Sequence, residues 1–147
     1  MEEMMCYIPK TLEEALDIKS KHDVIVLAGG SDLMVSNKRT LGLTPKFDKP
    51  VMIVRNLPEL KNIYINDKGE CCIGSGCTSA QIAESTLCPW HLRQAASRMG
   101  AVALRNSATI AGNIANASPK GDTPGPLYML DARVKLSSVS GSREVLV

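Results

Sequence analysis

Arg105-Asn-Ser-Ala-Thr-Ile-Ala-Gly-Asn-Ile-Ala-Asn-Ala-Ser-Pro-Lys-Gly-Asp122 is the stretch around which the rest of the chain is arranged. Its residues are small and polar, and Gly112, Gly121 and Pro119 interrupt regular structure. It carries more backbone and short-side-chain hydrogen-bonding groups than an apolar core segment tolerates unpaired. Such a segment needs a polar partner. Two readings stay open: an irregular loop that satisfies itself, or a loop that wraps a ligand rich in oxygen atoms.

Upstream, a second glycine-bearing segment stands between two apolar runs. Val24-Ile-Val-Leu-Ala28 is continuous and β-branched, which suits a strand covered on both faces of a parallel sheet. Gly29-Gly30 breaks it, Ser31-Asp32 can cap a following turn, and Leu33 to about Arg39 suits a short helix with basic residues at its end. Two residues without Cβ allow the backbone to approach a ligand closely, and a helix start behind them aims free N–H groups at it, so pyrophosphate is the natural guest. An ordinary tight turn reads equally well from these residues alone. Lys38 stands too far from the glycines for a P-loop.

The surrounding elements follow from spacing. Cys6 to Pro9 reads as a short strand, Thr11 to Glu14 as a capping box, and Leu12, Ala15, Leu16 and Ile18 as one face of a helix ending near His22. Val51 to Val54 supplies a further buried strand, completing a small parallel βαβ unit. Leu60–Ile65 and Glu70–Gly74 flank a glycine turn as an antiparallel hairpin. Thr78 caps a helix over Ser79 to Ser85, Pro89 opens a longer one ending at Gly100, and Leu127 to Leu130 makes a turn or two of buried helix. Arg133 to Ser137 and Arg143 to Val147 form a second hairpin. The last strand runs into the C-terminus without a cap, so the chain reads as cut off.

Composition narrows the function. With 147 residues, 44% hydrophobic and 22% charged, the chain is an ordinary globular domain. Lys and Arg outnumber Asp and Glu by only 17 to 15, and Phe47, Trp90 and three tyrosines are the only aromatic residues, which speaks against nucleic acid. The acidic N-terminus does not suit a secretory signal and no stretch reaches a membrane-spanning length, so a cytoplasmic location with no membrane contact is expected. Five cysteines without C-x-x-C spacing read as buried structural thiols, with no metal site. His91 and Arg93 read as solvated, and no catalytic residue is assigned. Gly74-Ser-Gly76 begins a Rossmann-like fingerprint, but Ser79 holds the third glycine's place and no acidic residue follows at the required distance.

Taken together, three motifs, Leu27-Ala-Gly-Gly-Ser-Asp-Leu33, Ile73-Gly-Ser-Gly-Cys-Thr78, and Leu104-Arg-Asn-Ser-Ala-Thr-Ile-Ala-Gly-Asn-Ile114 followed by Ala117-Ser-Pro-Lys-Gly-Asp122, resemble the FAD subunit of the molybdenum hydroxylases, the xanthine dehydrogenase and carbon monoxide dehydrogenase family. The resemblance covers essentially the whole chain. It implies an α+β, p-cresol methylhydroxylase-type FAD-binding fold: a small βαβ lobe over 1–57, a larger lobe on an antiparallel sheet over 58–147, and the family's C-terminal domain absent.

In that family the segment matching Leu27, Ala28, Gly29, Gly30, Ser31, Asp32 and Leu33 wraps the pyrophosphate through backbone N–H groups. The segment matching Thr109, Ile110, Ala111, Gly112 and Asn113 wraps its other side. Asp122 matches a position that hydrogen-bonds the cofactor through its ribityl chain, and Met99 a position close to it. Where the family has two glycines after Thr-Ile, this chain has Ala111-Gly112, which would be strained if position 111 needed positive φ. The resemblance implies partner subunits as well: a molybdopterin-binding large subunit that hydroxylates a purine-like, heteroaromatic or aldehyde substrate, and a small subunit with two-iron, two-sulfur clusters. FAD here passes their electrons to NAD or another acceptor. The alternative is a truncated, flavin-free module that docks with partners without redox activity; a stand-alone NAD-using oxidoreductase is disfavoured by the incomplete glycine fingerprint.

Overall fold

The computed structural model describes residues 5–37 and 46–147. Lys38 and Arg39, the basic end of the helix expected after the glycine pair, and the acidic residues Glu2 and Glu3 lie outside this range. The first unit is a parallel sheet in the order β1-β3-β2, with β1 at Cys6–Tyr7, β2 at Ile25–Leu27 and β3 at Val51–Ile53. Met52 is central, aligned with Tyr7 on one side and Val26 on the other. Helix α1, Leu12–Lys21, lays Ala15 and Ile18 against Val24, Met52, Val54 and Leu57.

Helix α1 begins as its sequence requires, with Thr11 Oγ1 accepting from Glu14 N at 3.2 Å. The reciprocal half of the box falls one residue earlier: the Glu14 carboxylate accepts from Lys10 N at 2.7 Å. Continuous burial of Val24–Ala28 does not hold. β2 is an edge strand, and Val26 is 47% exposed where it borders an open cleft. Helix α2, Leu33–Ser36, follows the glycine pair; its first residue is preceded by Asp32, whose side chain makes no capping bond.

The rest of the chain holds two separate antiparallel hairpins, β4 (Ile63–Ile65) with β5 (Cys71–Ile73), and β6 (Arg133–Ser138) with β7 (Gly141–Leu146). Leu60 belongs to a 3₁₀ turn, Pro58–Leu60, ahead of β4. Between the hairpins run five helices: α3 (Ser79–Glu84), α4 (Trp90–Arg98), α5 (Val102–Arg105), α6 (Ile110–Ala115) and α7 (Pro124–Met129). Thr78 and Gln81 form a complete capping box on α3, and Pro89 sits at the N-cap of α4, one residue before the first helical position expected for it.

A second core gathers Cys77, Ile82, Cys88, Leu92, Ala96, Ile110 and Leu127. Buried thiols are found at Cys77 and Cys88, but Cys71 and Cys72 are half-buried and Cys6 is exposed on its short strand. Arg93 is partly buried, its Nε donating to Ala83 O at 3.3 Å. The expected buried turn at 127–130 is buried only through Leu127, with Tyr128 and Met129 facing solvent.

The largest departure lies in the stretch read as an irregular loop. Its middle is helical: Thr109 Oγ1 accepts from Gly112 N at 3.2 Å and starts α6, and α5 closes on Arg105. The short polar side chains find local partners: Thr109 caps α6, Ser107 Oγ donates to the Ala103 and Leu104 carbonyls at the end of α5, and Asn113 bonds Thr123. Ala111 lies inside α6 and is not among the residues with positive φ, so alanine at that position is unstrained.

Candidate functional site

Three chain segments meet at one place. Residues 75–79 and 108–111 are laced by backbone bonds: Ser79 N to Ala108 O at 3.0 Å, Ile110 N to Cys77 O at 3.0 Å and Ala111 N to Ser75 O at 3.3 Å, around a Thr78–Thr109 bridge. The glycine turn then packs on the same strip. A Cβ on Gly29 would stand 2.8 Å from the carbonyl carbon of Ser107 and 3.2 Å from Ala108 Cα. Gly29 is therefore required by the chain's own backbone, where the sequence had suggested room for a ligand. Gly30 has φ +71°, a conformation open to glycine at little cost. Gly74 has a similar cause, since a Cβ there would collide with the Leu60 backbone. It also sits after a strand that pairs antiparallel, so Gly74-Ser-Gly76 does not open a Rossmann βαβ unit.

Along this junction lies a cleft of about 590 Å³, within the usual ~300–1,000 Å³ of small-molecule and cofactor sites. Of the residues expected at a cofactor, Leu27, Ala28, Gly29, Gly30, Ser31, Asp32, Leu33, Thr109, Ala111 and Gly112 line it. Four do not. Ile110 is buried in the second core, and Met99 is buried where its sulfur accepts from Ser79 Oγ at 3.2 Å. Asn113 turns its Oδ1 to Thr123, accepting from N at 3.1 Å and from Oγ1 at 2.7 Å. Asp122 is exposed beside that anchor.

Several lining residues carried no sequence signal: Lys19 and Leu16 from α1, Asn116 after α6, and Lys135 and Ser137 from β6. A helix face and a hairpin face give no local hint that they will border a ligand. Ser75 and Gly76 also line the cleft, and they lie inside one of the three motifs.

The donors at the glycine turn define the chemistry. Among the described residues the backbone N–H groups of Gly29, Gly30, Ser31, Asp32 and Leu33 have no acceptor, and the next bond begins at Met34 N, which donates to Gly30 O at 3.0 Å. Consecutive free N–H groups in a turn with a positive φ form a concavity suited to phosphate oxygens. A largely apolar cleft with such a turn on its wall is suited to a ligand that carries phosphate together with apolar surface. The fold and site thus define an α+β domain with a cleft suited to a phosphate-bearing cofactor.

Residues 2–147 match the family described as the FAD binding domain in molybdopterin dehydrogenase. The nicotinate dehydrogenase FAD-subunit of Eubacterium barkeri is 32% identical over 99% of this chain and 49% of its own length. The xanthine dehydrogenase FAD-binding subunit of Escherichia coli O157:H7 is 30% identical over 92% of this chain and 46% of its own. Among solved structures, reconstituted CO dehydrogenase from Oligotropha carboxidovorans superposes with a TM-score of 0.85 at 25% identity, covering 98% of this chain and 50% of that one. The chain therefore belongs to the FAD-binding domain family of the molybdopterin dehydrogenases, an oxidoreductase family, and FAD is its cofactor. It spans about half the length of the curated relatives it matches. Among the described residues no helix is long and apolar enough to cross a membrane.

Proposed function

We propose that this chain is the FAD-holding part of the flavin subunit of a molybdenum hydroxylase. The observation that carries the reading is the row of five N–H groups at Gly29–Leu33 without an acceptor among the described residues, set on the same cleft as Thr109, Ala111 and Gly112. The two lobes are residues 1–57 and 58–147. The glycine turn binds the diphosphate, and α6 closes the cofactor's other side with its N-terminal residues. Met99 acts from behind this wall by fixing Ser79, whose backbone N–H holds Ala108. Asp122 keeps the ribityl-chain role implied by the resemblance, next to the Thr123 that Asn113 ties to α6.

Bound FAD supplies a two-electron carrier, while the protein binds, orients and shields it. In the whole enzyme electrons come from a molybdopterin-binding large subunit, acting on a purine-like, heteroaromatic or aldehyde substrate, through an iron–sulfur small subunit. They leave to NAD or another acceptor, in the cytoplasm. The relatives named as nicotinate and xanthine dehydrogenase subunits support this class of substrate.

The test is spectroscopic. The purified protein is expected to carry flavin absorbance. Gly30→Val sets a β-branched side chain at φ +71°, against Met34 Cγ and Leu27 Cδ1 at 3.1 and 3.2 Å from an ideal Cβ, and is expected to remove the flavin. A colourless wild-type protein that takes up no added FAD, yet still joins its partner subunits, would return the chain to the flavin-free docking module.

A further inference from the structure

The hairpin wall of the cleft carries a charge that none of the three glycine motifs accounts for. Side chains alternate along β6, so Arg133, Lys135 and Ser137 share one face, and Lys135 and Ser137 line the cleft. Lys135 stands in register with Glu144 of β7, where a cross-strand ion pair is the ordinary outcome. The carboxylate goes elsewhere: Arg133 Nη1 lies 3.9 Å from Glu144 Oε2. Among the described residues the Lys135 ammonium then has no ion-pair or hydrogen-bond partner. Lys19, the other ammonium on the cleft, is already engaged, its Nζ donating to Val24 O at 3.0 Å.

The cofactor's charge is concentrated in one place. A flavin adenine dinucleotide at neutral pH bears its two negative charges on the diphosphate, while its rings and sugars are neutral. Backbone N–H groups answer such charge only with partial dipoles, so a full cation on another wall strengthens the same subsite. We propose that Lys135 is the cationic contact of the FAD diphosphate, donating from the hairpin wall to oxygens whose other side faces the Gly29–Leu33 N–H groups. The proposal rests on the FAD reading above. It makes β6 a binding element and gives FAD affinity a salt dependence that a purely backbone cradle would lack.

Flavin-stripped protein, titrated with FAD and followed by quenching of flavin fluorescence, tests this at two salt concentrations. A charge-assisted hydrogen bond corresponds to about a tenfold loss or more when removed, so Lys135→Met should weaken FAD binding by at least that factor at low salt. The gap should narrow at high salt, and Lys135→Arg should restore most of the affinity. Lys135→Met binding FAD like wild type, or losing the same factor at both salt concentrations, overturns the assignment. Wild-type protein that binds no FAD at all overturns the cofactor reading beneath it, an outcome distinct from either.

Discussion

Replacing Gly29 with alanine inserts a methyl group where two stretches of backbone touch. An ideal Cβ stands 2.8 Å from the Ser107 carbonyl carbon, nearer still to its oxygen, and 3.2 Å from Ala108 Cα. Carbon atoms in contact settle at about 3.5–4.0 Å, so one side must retreat by roughly 1 Å. Neither side is loose. Ala108 donates to Leu104 O at 2.8 Å and its carbonyl accepts from Ser79 N at 3.0 Å, while β2 is tied by Val54 N to Leu27 O at 2.9 Å. Overpacking of this kind costs about 1–3 kcal/mol, and with backbone on both sides we expect the upper end. At a urea slope of ~2 kcal/mol/M, a loss of ~3 kcal/mol lowers the unfolding midpoint by ~1.5 M. Urea unfolding followed by far-UV circular dichroism measures it, and flavin content on the same preparation should fall as the turn is displaced. A midpoint shift under ~0.5 M with full flavin content would refute the packing of the glycine turn on residues 107–108.

Other substitutions test separate parts of the fold. Asn113→Ala leaves the N–H and hydroxyl of the nearly inaccessible Thr123 without their acceptor; at about 2–3 kcal/mol the melting temperature should drop by roughly 6–9 °C, with Asn113→Asp much closer to wild type. Asp131 ends α7 at φ 49°, where Ala132 N bonds Leu127 O and Asp131 N bonds Tyr128 O in a Schellman arrangement, so Asp131→Gly should stabilise by about 1 kcal/mol in chemical denaturation. Burial, with Cys88 alongside, pushes the Cys71 thiol from its ordinary 9.0 up to about 11. The folded state thus holds this proton more tightly than the unfolded chain, and its stabilising contribution, complete below pH 9, declines as pH rises through about 11. At pH 8 a thiol reagent should modify exposed Cys6 well before Cys71, and equal rates would contradict the burial.

The local signals that survived were those whose physics is local. Thr11 and Thr78 open helices because a hydroxyl beside free N–H groups needs no distant partner, and the two hairpins follow from alternation around glycine-containing turns. The run Val24–Ala28 misled because an apolar strand looks the same whether its faces are covered by helices or left to border a cleft. Residues 105–122 misled in the opposite direction: polar caps of short helices have the composition of a loop.

Spacing alone placed the capped helices, most of the strands and the two glycine-bearing turns, since each depends on neighbours a few residues away; the class of domain followed from the resemblance those motifs carry, and helices α5 and α6 stayed hidden in a loop-like composition. Tertiary structure alone decided that Gly29 is needed for contact with Ser107, that Met99, Ile110 and Asn113 serve the wall behind the cleft, and that Lys135 from a late hairpin stands at its edge. Those roles depend on residues far apart in the chain meeting across a cleft, and no local pattern encodes which side chain finds its partner taken.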